Sequence, residues 1–218
     1  IKGLVAQGAV LEQDSPRDLP FMRMDPSLPS KELTEDQASA SALLAAGVAS
    51  GTYGTTLLRG VTGSGKTEVY LEAVAAALKS GRQALVLLPE IALTEQFLHR
   101  VQARFGAKPA EWHSGATMTE RRRIWKMVGQ GQAQVVIGAR SALFLPFDRL
   151  GLVVIDEQHD AAYKQEEGVI YNARDMAVVR ARLCAAPVVL VSATPSLETV
   201  VNVGAGRYAG LHLPDRHG

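Results

Sequence analysis

The stretch LRGVTGSGKTEVYLEAV, residues 58–74, places a glycine-rich turn between an apolar segment and an amphipathic one. Its centre, GVTGSGKT at residues 60–67, fits the pattern G-x-x-x-x-G-K-[ST] at every fixed position. Glycines allow such a turn to curl so that successive N–H groups point at phosphate oxygens, and the following helix adds its positive N-terminal end. The stretch therefore predicts a phosphate-binding turn. The alternative is a glycine-rich turn that carries lysine and threonine by coincidence.

Every residue of this turn is a candidate for ATP binding. In such turns the lysine reaches the β- and γ-phosphates, and the hydroxyl of the last residue faces Mg²⁺. We therefore expect Lys66 to act on the phosphates and Thr67 to contribute to a magnesium site. The candidate residues of the turn are Gly60, Val61, Thr62, Gly63, Ser64, Gly65, Lys66 and Thr67.

Apolar segments without polar alternation recur along the chain, which is typical of parallel strands that are buried on both faces. They read TTLLRG, QALVLLP, AQVVIG, LGLVVIDE and APVVLVSA. Amphipathic segments lie between them: Val74 and Leu78 fall at helical spacing in one, and Val101 and Phe105 in another. This alternation predicts an α/β domain with a mainly parallel sheet and helices on both faces.

The chain divides by composition. Residues 13–32 hold four of the ten prolines and show no regular period, so we expect an extended linker there. The regular pattern covers residues 33–214 and opens with a helix at about residues 35–49, with Thr34 as its N-cap. Residues 1–12 read as the closing strands of a small upstream module. A start without methionine suggests a segment of a longer protein.

The composition is that of an ordinary globular protein, with 47% hydrophobic and 21% charged residues. No apolar segment approaches the ~20 residues that span a bilayer, and the start lacks the pattern of a signal peptide, so we expect a cytoplasmic protein without membrane contact. The net charge of +1 gives no argument for nucleic acid. The lone Cys184 excludes an internal disulfide and a cysteine-built zinc site, and its apolar neighbours predict burial.

An apolar strand ends in the adjacent carboxylates of Asp156 and Glu157. Ligands of parallel α/β sheets bind at the carboxyl ends of the strands, so we expect this pair beside the phosphate-binding turn. Asp156 is then suited to hold Mg²⁺ through its water shell, and Glu157 to orient and deprotonate an attacking water. A solvated turn is the alternative.

Several motifs resemble those of superfamily 2 helicases and translocases, which are RecA-like P-loop NTPases. DEQH at residues 156–159 resembles the DExH box, and SATPS at residues 192–196 resembles the motif that links the γ-phosphate state to bound nucleic acid. LTEDQ resembles the motif whose glutamine, Gln37 here, reads adenine, which implies ATP rather than GTP. The resemblance implies catalytic roles for Lys66, Asp156, Glu157 and His159, and coupling roles for Ser192, Ala193 and Thr194.

More closely, the chain resembles the primosomal protein N′ (PriA) family of replication-restart DNA helicases. The matching segments are GVTGSGKTEVYL, LPEIALT, HSG, RSALFLPF, DEQHDAAYKQEEG and SATPSLET, within residues 31–214. The resemblance implies a 3′-to-5′ helicase that acts at stalled forks, on forked or single-stranded DNA, with primosome proteins and single-strand-binding protein as partners. It also implies that residues 1–12 are the tail of a winged-helix module.

The second lobe and the zinc region of that family are expected to lie outside this chain. In such motors an arginine finger stabilises transition-state charge and accounts for ~10³-fold or more in rate. Since the finger belongs to the second lobe, we expect this chain alone to bind Mg·ATP but to turn it over poorly.

The chain also departs from the family pattern. The family usually has GTRSA and DEEHD, whereas Ala139 here replaces the threonine and Gln158 replaces the second glutamate. Ala139 lacks a hydroxyl that would otherwise be available to a DNA phosphate, whereas Gln158 falls at the variable position of the DExH box. In the segment that resembles the aromatic-rich loop of the family, Val169, Ile170 and Asn172 depart from a PRYHARD pattern.

Candidate DNA-binding residues come from two sources. The segment after the DExH box combines stacking and charged groups in Tyr163, Lys164, Tyr171 and Arg174. The resemblance adds the strand-contacting loops, with Pro89, Thr94, Arg140 and Ser141. The alternatives are a surface loop with half-buried tyrosines and, for the last two residues, helix capping.

The segment ERRRIWKMV, residues 120–128, allows two interpretations. Its basic residues and Trp125 suit a DNA backbone. Equally, Ile124, Trp125 and Val128 fall at helical spacing and suit a buried face, which leaves the arginines in solvent.

Two other functions remain open at this point. One is another superfamily 2 DNA translocase, such as a fork-reversal helicase or a restriction translocase. The other is a non-catalytic module that docks DNA or proteins and uses nucleotide only as a structural ligand.

Overall fold

The computed structural model describes residues 19–214. The expected winged-helix tail at residues 1–12 lies outside the described residues, as does the first part of the expected linker.

The domain is built on a seven-stranded sheet in which each neighbouring pair of strands is parallel. The order across the sheet is β3-β4-β2-β5-β8-β1-β9, and β6 and β7 form a separate antiparallel hairpin. The strands are β1 (Gly54–Gly60), β2 (Gln83–Leu87), β3 (Ala110–Trp112), β4 (Val135–Gly138), β5 (Leu150–Ile155), β6 (Lys164–Gln165), β7 (Tyr171–Asn172), β8 (Pro187–Ser192) and β9 (Ala209–Leu213).

Helices cover both faces of the sheet. They are α1 (Glu35–Ala49), α2 (Lys66–Lys79), α3 (Glu95–Phe105), α4 (Met118–Gly129), α5 (Ala173–Leu183) and α6 (Leu197–Gly204). The apolar sides of α1, α2 and α3 form one core with the sheet, and those of α4 and α5 form the other, against which α6 also packs. The predicted α/β architecture with a parallel sheet is therefore confirmed.

The five apolar segments of the sequence became β1, β2, β4, β5 and β8. The sequence did not predict the two edge strands. β3 has only three residues and contains Glu111, and β9 contains Gly210 and the exposed His212. An edge strand is buried less completely, so it lacks the continuous apolar run that marks a central parallel strand.

The last part of the expected linker, residues 19–33, is held against the domain. The amide of Met24 donates to Gln134 Oε1 at 2.7 Å, and the amide of Asp25 donates to the Phe105 carbonyl at 2.9 Å. Arg123 donates to the Leu19 carbonyl through Nη2 at 2.6 Å and through Nε at 3.0 Å. The segment thus runs from α4 towards the amino end of α1 as a fixed strap.

The structure also bears on the expected membrane contact and on the expected burial of Cys184. None of the helices within residues 19–214 is long and apolar enough to cross a membrane. The prediction that Cys184 is buried is wrong, because it is half-exposed just after α5, where it only borders the core.

The ion pair between Arg104 and Glu72 joins α3 to α2 and also holds the strap. Arg104 donates to both Glu72 oxygens, at 2.7 and 3.0 Å, and to the Leu28 carbonyl at 2.9 Å, and its side chain is only 8% exposed. We expect Arg104→Met to lower the free energy of unfolding by about 2 kcal/mol or more, because it leaves a partly buried carboxylate without its partner. Urea unfolding measures this change.

Arg149→Met is the matched control for Arg104→Met. The Arg149 side chain is 69% exposed and pairs with an exposed Asp148 at 3.5 Å, so its loss is expected to cost about 0.5 kcal/mol or less. Equal effects of the two substitutions would contradict the proposed weight of the Arg104 pair.

Candidate functional site

The glycine-rich turn lies where the sequence predicts it, between the end of β1 and the start of α2. Gly63 and Gly65 have φ values of 85° and 79°, a region that L side chains rarely adopt. At Gly60 an added Cβ would collide with the Ser64 hydroxyl and lie 3.0 Å from Leu213 Cβ. No side chain caps the N-terminus of α2, so its first amides face the turn. This is the backbone arrangement that binds phosphate.

Lys66 folds back over the turn. Its Nζ donates to the carbonyls of Gly60 and Val61 at 2.8 and 3.0 Å, and the residue is 8% exposed. Neutral carbonyls are weaker partners for an ammonium than charged oxygens. A phosphate that enters the turn would therefore compete for Lys66 with its present acceptors.

Gln37 connects α1 to the same turn. Its Oε1 accepts from the Thr34 amide at 3.1 Å in a capping box, and its Nε2 donates to the Ser64 carbonyl at 3.0 Å. A cleft of about 590 Å³ opens beside it, and Gln37 lines this cleft together with Lys66, Thr67 and Glu157. The predicted adenine reader is thus also a support for the phosphate-binding turn.

Asp156 lies in the same cleft, directly after β5. Its Oδ2 accepts from the Tyr70 hydroxyl at 3.0 Å, and its Oδ1 accepts from the Glu157 amide at 2.9 Å. Burial raises the pKa of Asp156 to about 6, while the Tyr70 hydrogen bond and the Lys66 charge act in the opposite direction. A partly buried carboxylate with an unfavourable ionised form is a position where a cation would be stabilising.

The donor set fits a magnesium ion that binds together with phosphates. Within residues 19–214 no group of three or more His, Cys, Asp or Glu side chains forms a metal site. Mg²⁺, however, is usually held by one or two carboxylates plus substrate phosphates and waters. Asp156 and the Thr67 hydroxyl, which line the same cleft, suit that arrangement.

His159, the histidine of the DExH box, contacts the predicted coupling segment. His159 Nδ1 lies 2.8 Å from Ser192 Oγ and 3.6 Å from Glu157 Oε2. Ser192 Oγ also accepts from the Thr194 amide at 3.0 Å. Because β5, β8 and β1 are neighbours in the sheet, the DExH box, the SATPS segment and the turn lie side by side.

Two of the predicted DNA contacts, Tyr163 and Pro89, are buried in this structure. Tyr163 is 1% exposed, and its hydroxyl lies 3.0 Å from the Leu87 carbonyl and 2.6 Å from the Asp156 carbonyl. Its ring therefore belongs to the core and is not available to stack on a base. Pro89 is buried as well.

Three other candidates already have protein partners. Arg140 donates to the carbonyls of Ala162 and Lys164 at 3.2 and 2.9 Å, so it holds the segment that follows the DExH box. Arg174 donates to Ser196 Oγ at 2.7 Å, and its side chain is 13% exposed. Thr94 caps α3 by accepting from the Phe97 amide at 3.3 Å.

The other candidates lie at the surface. Lys164 is exposed and pairs with Glu166 at 2.8 Å. Tyr171 is half-buried and packs edge-on against the exposed Phe144, with ring centroids 5.3 Å apart. Ser141 is exposed and accepts from the Trp112 indole at 3.0 Å. These side chains remain predictions as DNA contacts.

The segment at residues 120–128 lies within helix α4, which packs one side against the core. Ile124 and Val128 are buried, as one interpretation of the sequence predicted, but Trp125 is 51% exposed. Arg121 donates to the carbonyls of His113 and Ser114, so not all of the arginines are in free solvent.

Sequence reasoning missed several residues at the site. Tyr70 holds Asp156, and Lys31, Glu68 and Arg100 line the cleft. Tyr70 lies four residues after Lys66 on α2, so helical spacing alone shows that both share one face. No comparable signal marked the cleft residues outside the motifs.

The chain is similar in sequence to known helicases and replication restart proteins. A family model described as DEAD/DEAH box helicase matches residues 30–203. The replication restart protein PriA of Rickettsia felis (strain ATCC VR-1525 / URRWXCal2) is 51% identical over 74% of this chain and 25% of the relative. That of Bacillus subtilis (strain 168) is 40% identical over 99% of this chain and 27% of the relative. The chain spans about a quarter of the length of these relatives.

A solved structure of RecG bound to a three-way DNA junction is similar in fold. Its TM-score is 0.65 at 27% identity, and the match covers 88% of this chain and 25% of that one. The predicted resemblance to PriA and the predicted RecA-like fold are therefore both confirmed.

The raised pKa of Asp156 predicts a pH dependence of stability in metal-free buffer. The pKa of Asp156 is about 6 in the folded state, whereas the ordinary value for an aspartate is 3.8. The contribution of Asp156 to stability therefore falls as the pH rises between these values. Asp156→Asn removes that dependence. Between pH 5.0 and 7.5 we expect the free energy of unfolding of Asp156→Asn to increase relative to that of the wild type by on the order of 1 kcal/mol. Urea unfolding at both pH values measures this difference.

Glu198→Gln is the control for the sign of this effect. A backbone hydrogen bond, together with Ser196 and Arg174, lowers the pKa of Glu198, so its contribution is present at neutral pH and is lost as the pH falls through that lowered pKa. Between pH 5.0 and 7.5 the stability of Glu198→Gln should therefore run parallel to that of the wild type, and the opposite pH slope should appear only below the usual glutamate value of 4.5. Parallel curves for Asp156→Asn and the wild type would overturn the interpretation of the cleft carboxylate.

Proposed function

Because the chain belongs to the DEAD/DEAH box helicase family, we propose that it is the ATP-binding motor lobe of a DNA helicase that acts in replication restart. The observation that carries this proposal is the shared cleft of about 590 Å³, which brings Lys66 and Thr67 of the turn next to Asp156 and Glu157. The similarity to PriA supports replication restart as the process.

Each predicted site residue that lines the cleft has a proposed part in ATP hydrolysis. The turn amides and Lys66 bind and orient the phosphates, and Gln37 faces the base. Thr67 and Asp156 are the residues that would hold Mg²⁺, which neutralises phosphate charge when it is bound. Glu157 orients the attacking water and accepts its proton.

In a helicase, ATP hydrolysis in the cleft has to be coupled to a change in the contacts with DNA. His159 contacts Ser192, so we propose that Ser192, Ala193 and Thr194 carry the change in the phosphate site towards the DNA surface. Lys164, Tyr171 and Ser141 are the exposed or half-exposed candidates for that surface. The RecG complex with a DNA junction supports forked DNA as the substrate class.

The finer points rest on the resemblance to PriA. They are movement in the 3′-to-5′ direction, action on forked or single-stranded DNA, and assembly with primosome proteins and single-strand-binding protein. A zinc region is proposed for the longer protein and not for this chain. Residues 19–214 contain one RecA-like sheet, so we propose that the chain by itself binds Mg·ATP and hydrolyses it slowly.

Calorimetry of Mg·ATP binding tests the nucleotide site. We expect saturable binding to the wild type and a loss of at least about tenfold in affinity for Lys66→Ala, because the ammonium meets the phosphates. Lys79→Ala is the matched control at the exposed end of the same helix and should bind as the wild type does. Mg·GTP should bind more weakly than Mg·ATP. Unchanged binding by Lys66→Ala would contradict the proposed site.

Hydrolysis by the longer protein that carries this domain tests Glu157. We expect Glu157→Gln to lower kcat by about 10² to 10⁴, since it removes the proton acceptor, while ATP binding is retained. A motor lobe and a docking module differ in this experiment. DNA-stimulated hydrolysis that depends on Glu157 supports the motor, and nucleotide binding without hydrolysis in the longer protein supports the docking module.

A further inference from the structure

We propose that Arg174, Ser196, Thr199 and Gln158 form a polar relay that positions the DExH box relative to the hairpin that follows it. The relay rests on the proposed function, because its effect is exerted on Glu157. It is distinct from the contact between His159 and Ser192, because the two share no residue.

The relay is a directed chain of hydrogen bonds. Arg174 Nη1 donates to Ser196 Oγ at 2.7 Å, Ser196 Oγ lies 3.1 Å from Thr199 Oγ1, and Thr199 Oγ1 donates to Gln158 Oε1 at 3.2 Å. A guanidinium only donates and each hydroxyl has a single hydrogen, so Ser196 must donate to Thr199. The chain thus starts at a cation and ends at an amide oxygen.

Three of the four members of the relay are largely withdrawn from solvent, and Ser196 is half-buried. Gln158 and Thr199 are each 2% exposed, and the Arg174 side chain is 13% exposed. Gln158 Nε2 has no hydrogen-bond partner among residues 19–214, so Thr199 is the side-chain partner that fixes this amide. In a buried network each lost partner leaves another group unsatisfied, which makes the relay sensitive to displacement.

The far end of the relay reaches the hairpin of β6 and β7. Arg174 is in the first turn of α5, and its amide donates to the N-cap, Asn172 Oδ1, at 3.0 Å. Asn172 pairs with Lys164 in the hairpin, and Tyr163, just before β6, bonds to the Asp156 carbonyl. The hairpin is therefore tied to the DExH box at both of its ends.

The near end of the relay supports a strained residue. Glu157 has a φ of 45°, which is uncommon for a residue with a side chain and persists only where the surroundings hold it. Its neighbour Gln158 is held at two points. The backbone amide of Gln158 donates to the Val191 carbonyl at 3.0 Å, and its side-chain oxygen accepts from Thr199. Loss of the relay would let Gln158 shift and would misorient the Glu157 carboxylate, without touching the phosphate-binding turn.

Thr199→Val tests the relay because it keeps the side-chain shape and removes the hydroxyl. In the longer protein that carries this domain, we expect kcat for DNA-stimulated ATP hydrolysis to fall about tenfold while KM for ATP stays within about twofold. Thr199→Ser restores the hydroxyl and should restore kcat. Thr119→Val, at an exposed position of α4, is the matched control and should match the wild type.

Hydrogen exchange in this chain provides a second readout that needs no hydrolysis. We expect amides of residues 164–172 to exchange at least about fivefold faster in Thr199→Val than in the wild type, and Thr199→Ser to match the wild type. If Thr199→Val does not fold, Arg174→Met cuts the same relay at its other end and should give the same pattern.

The outcomes separate the relay from the proposed function. A wild-type longer protein that does not hydrolyse ATP contradicts the proposed function, and hydrogen exchange then decides on the relay. The relay is overturned if Thr199→Val behaves as the wild type in both readouts, if Thr199→Ser is as impaired as Thr199→Val, or if KM rises as much as kcat falls.

Discussion

Parallel pairing of β5, β8 and β1 is the constraint on which the whole site depends. Parallel strands end at the same edge of a sheet, so the segments that follow these three neighbours must meet there. Those segments are the acidic pair, the SATPS motif and the phosphate-binding turn, which are far apart in sequence. The contacts of Asp156 with Tyr70, and of His159 with Ser192, are local adjustments within this arrangement.

Much of the fold and of the nucleotide site was predictable because the signals are local. Five central strands appear as uninterrupted apolar runs, and the turn needs glycines and a lysine at fixed spacing. Edge strands lack that signal, as β9 shows with its glycine and exposed histidine. The role of Tyr70 depends on which strand lies opposite α2, and a sequence does not state strand order.

The DNA surface was less predictable for a different physical reason. A basic side chain near a motif can bond to a nucleic acid or to the protein's own oxygen atoms. An aromatic ring can likewise stack on a base or pack in the core. Here Arg140 and Arg174 bond to other segments of the domain, and Tyr163 is inserted between the ends of β2 and β5. Only burial and hydrogen bonding distinguish these residues from Lys164, which remains in solvent.

The strap of residues 19–33 has a mechanical consequence. A pulling force applied at residue 19 would first load the bonds from Arg123 to the Leu19 carbonyl, and next those at Met24 and Asp25. These anchors attach to α4, to the segment before β4 and to the end of α3, away from the nucleotide cleft. Tension from upstream would thus be borne by the far end of the domain, and the capping box of Thr34 and Gln37 would be shielded from it.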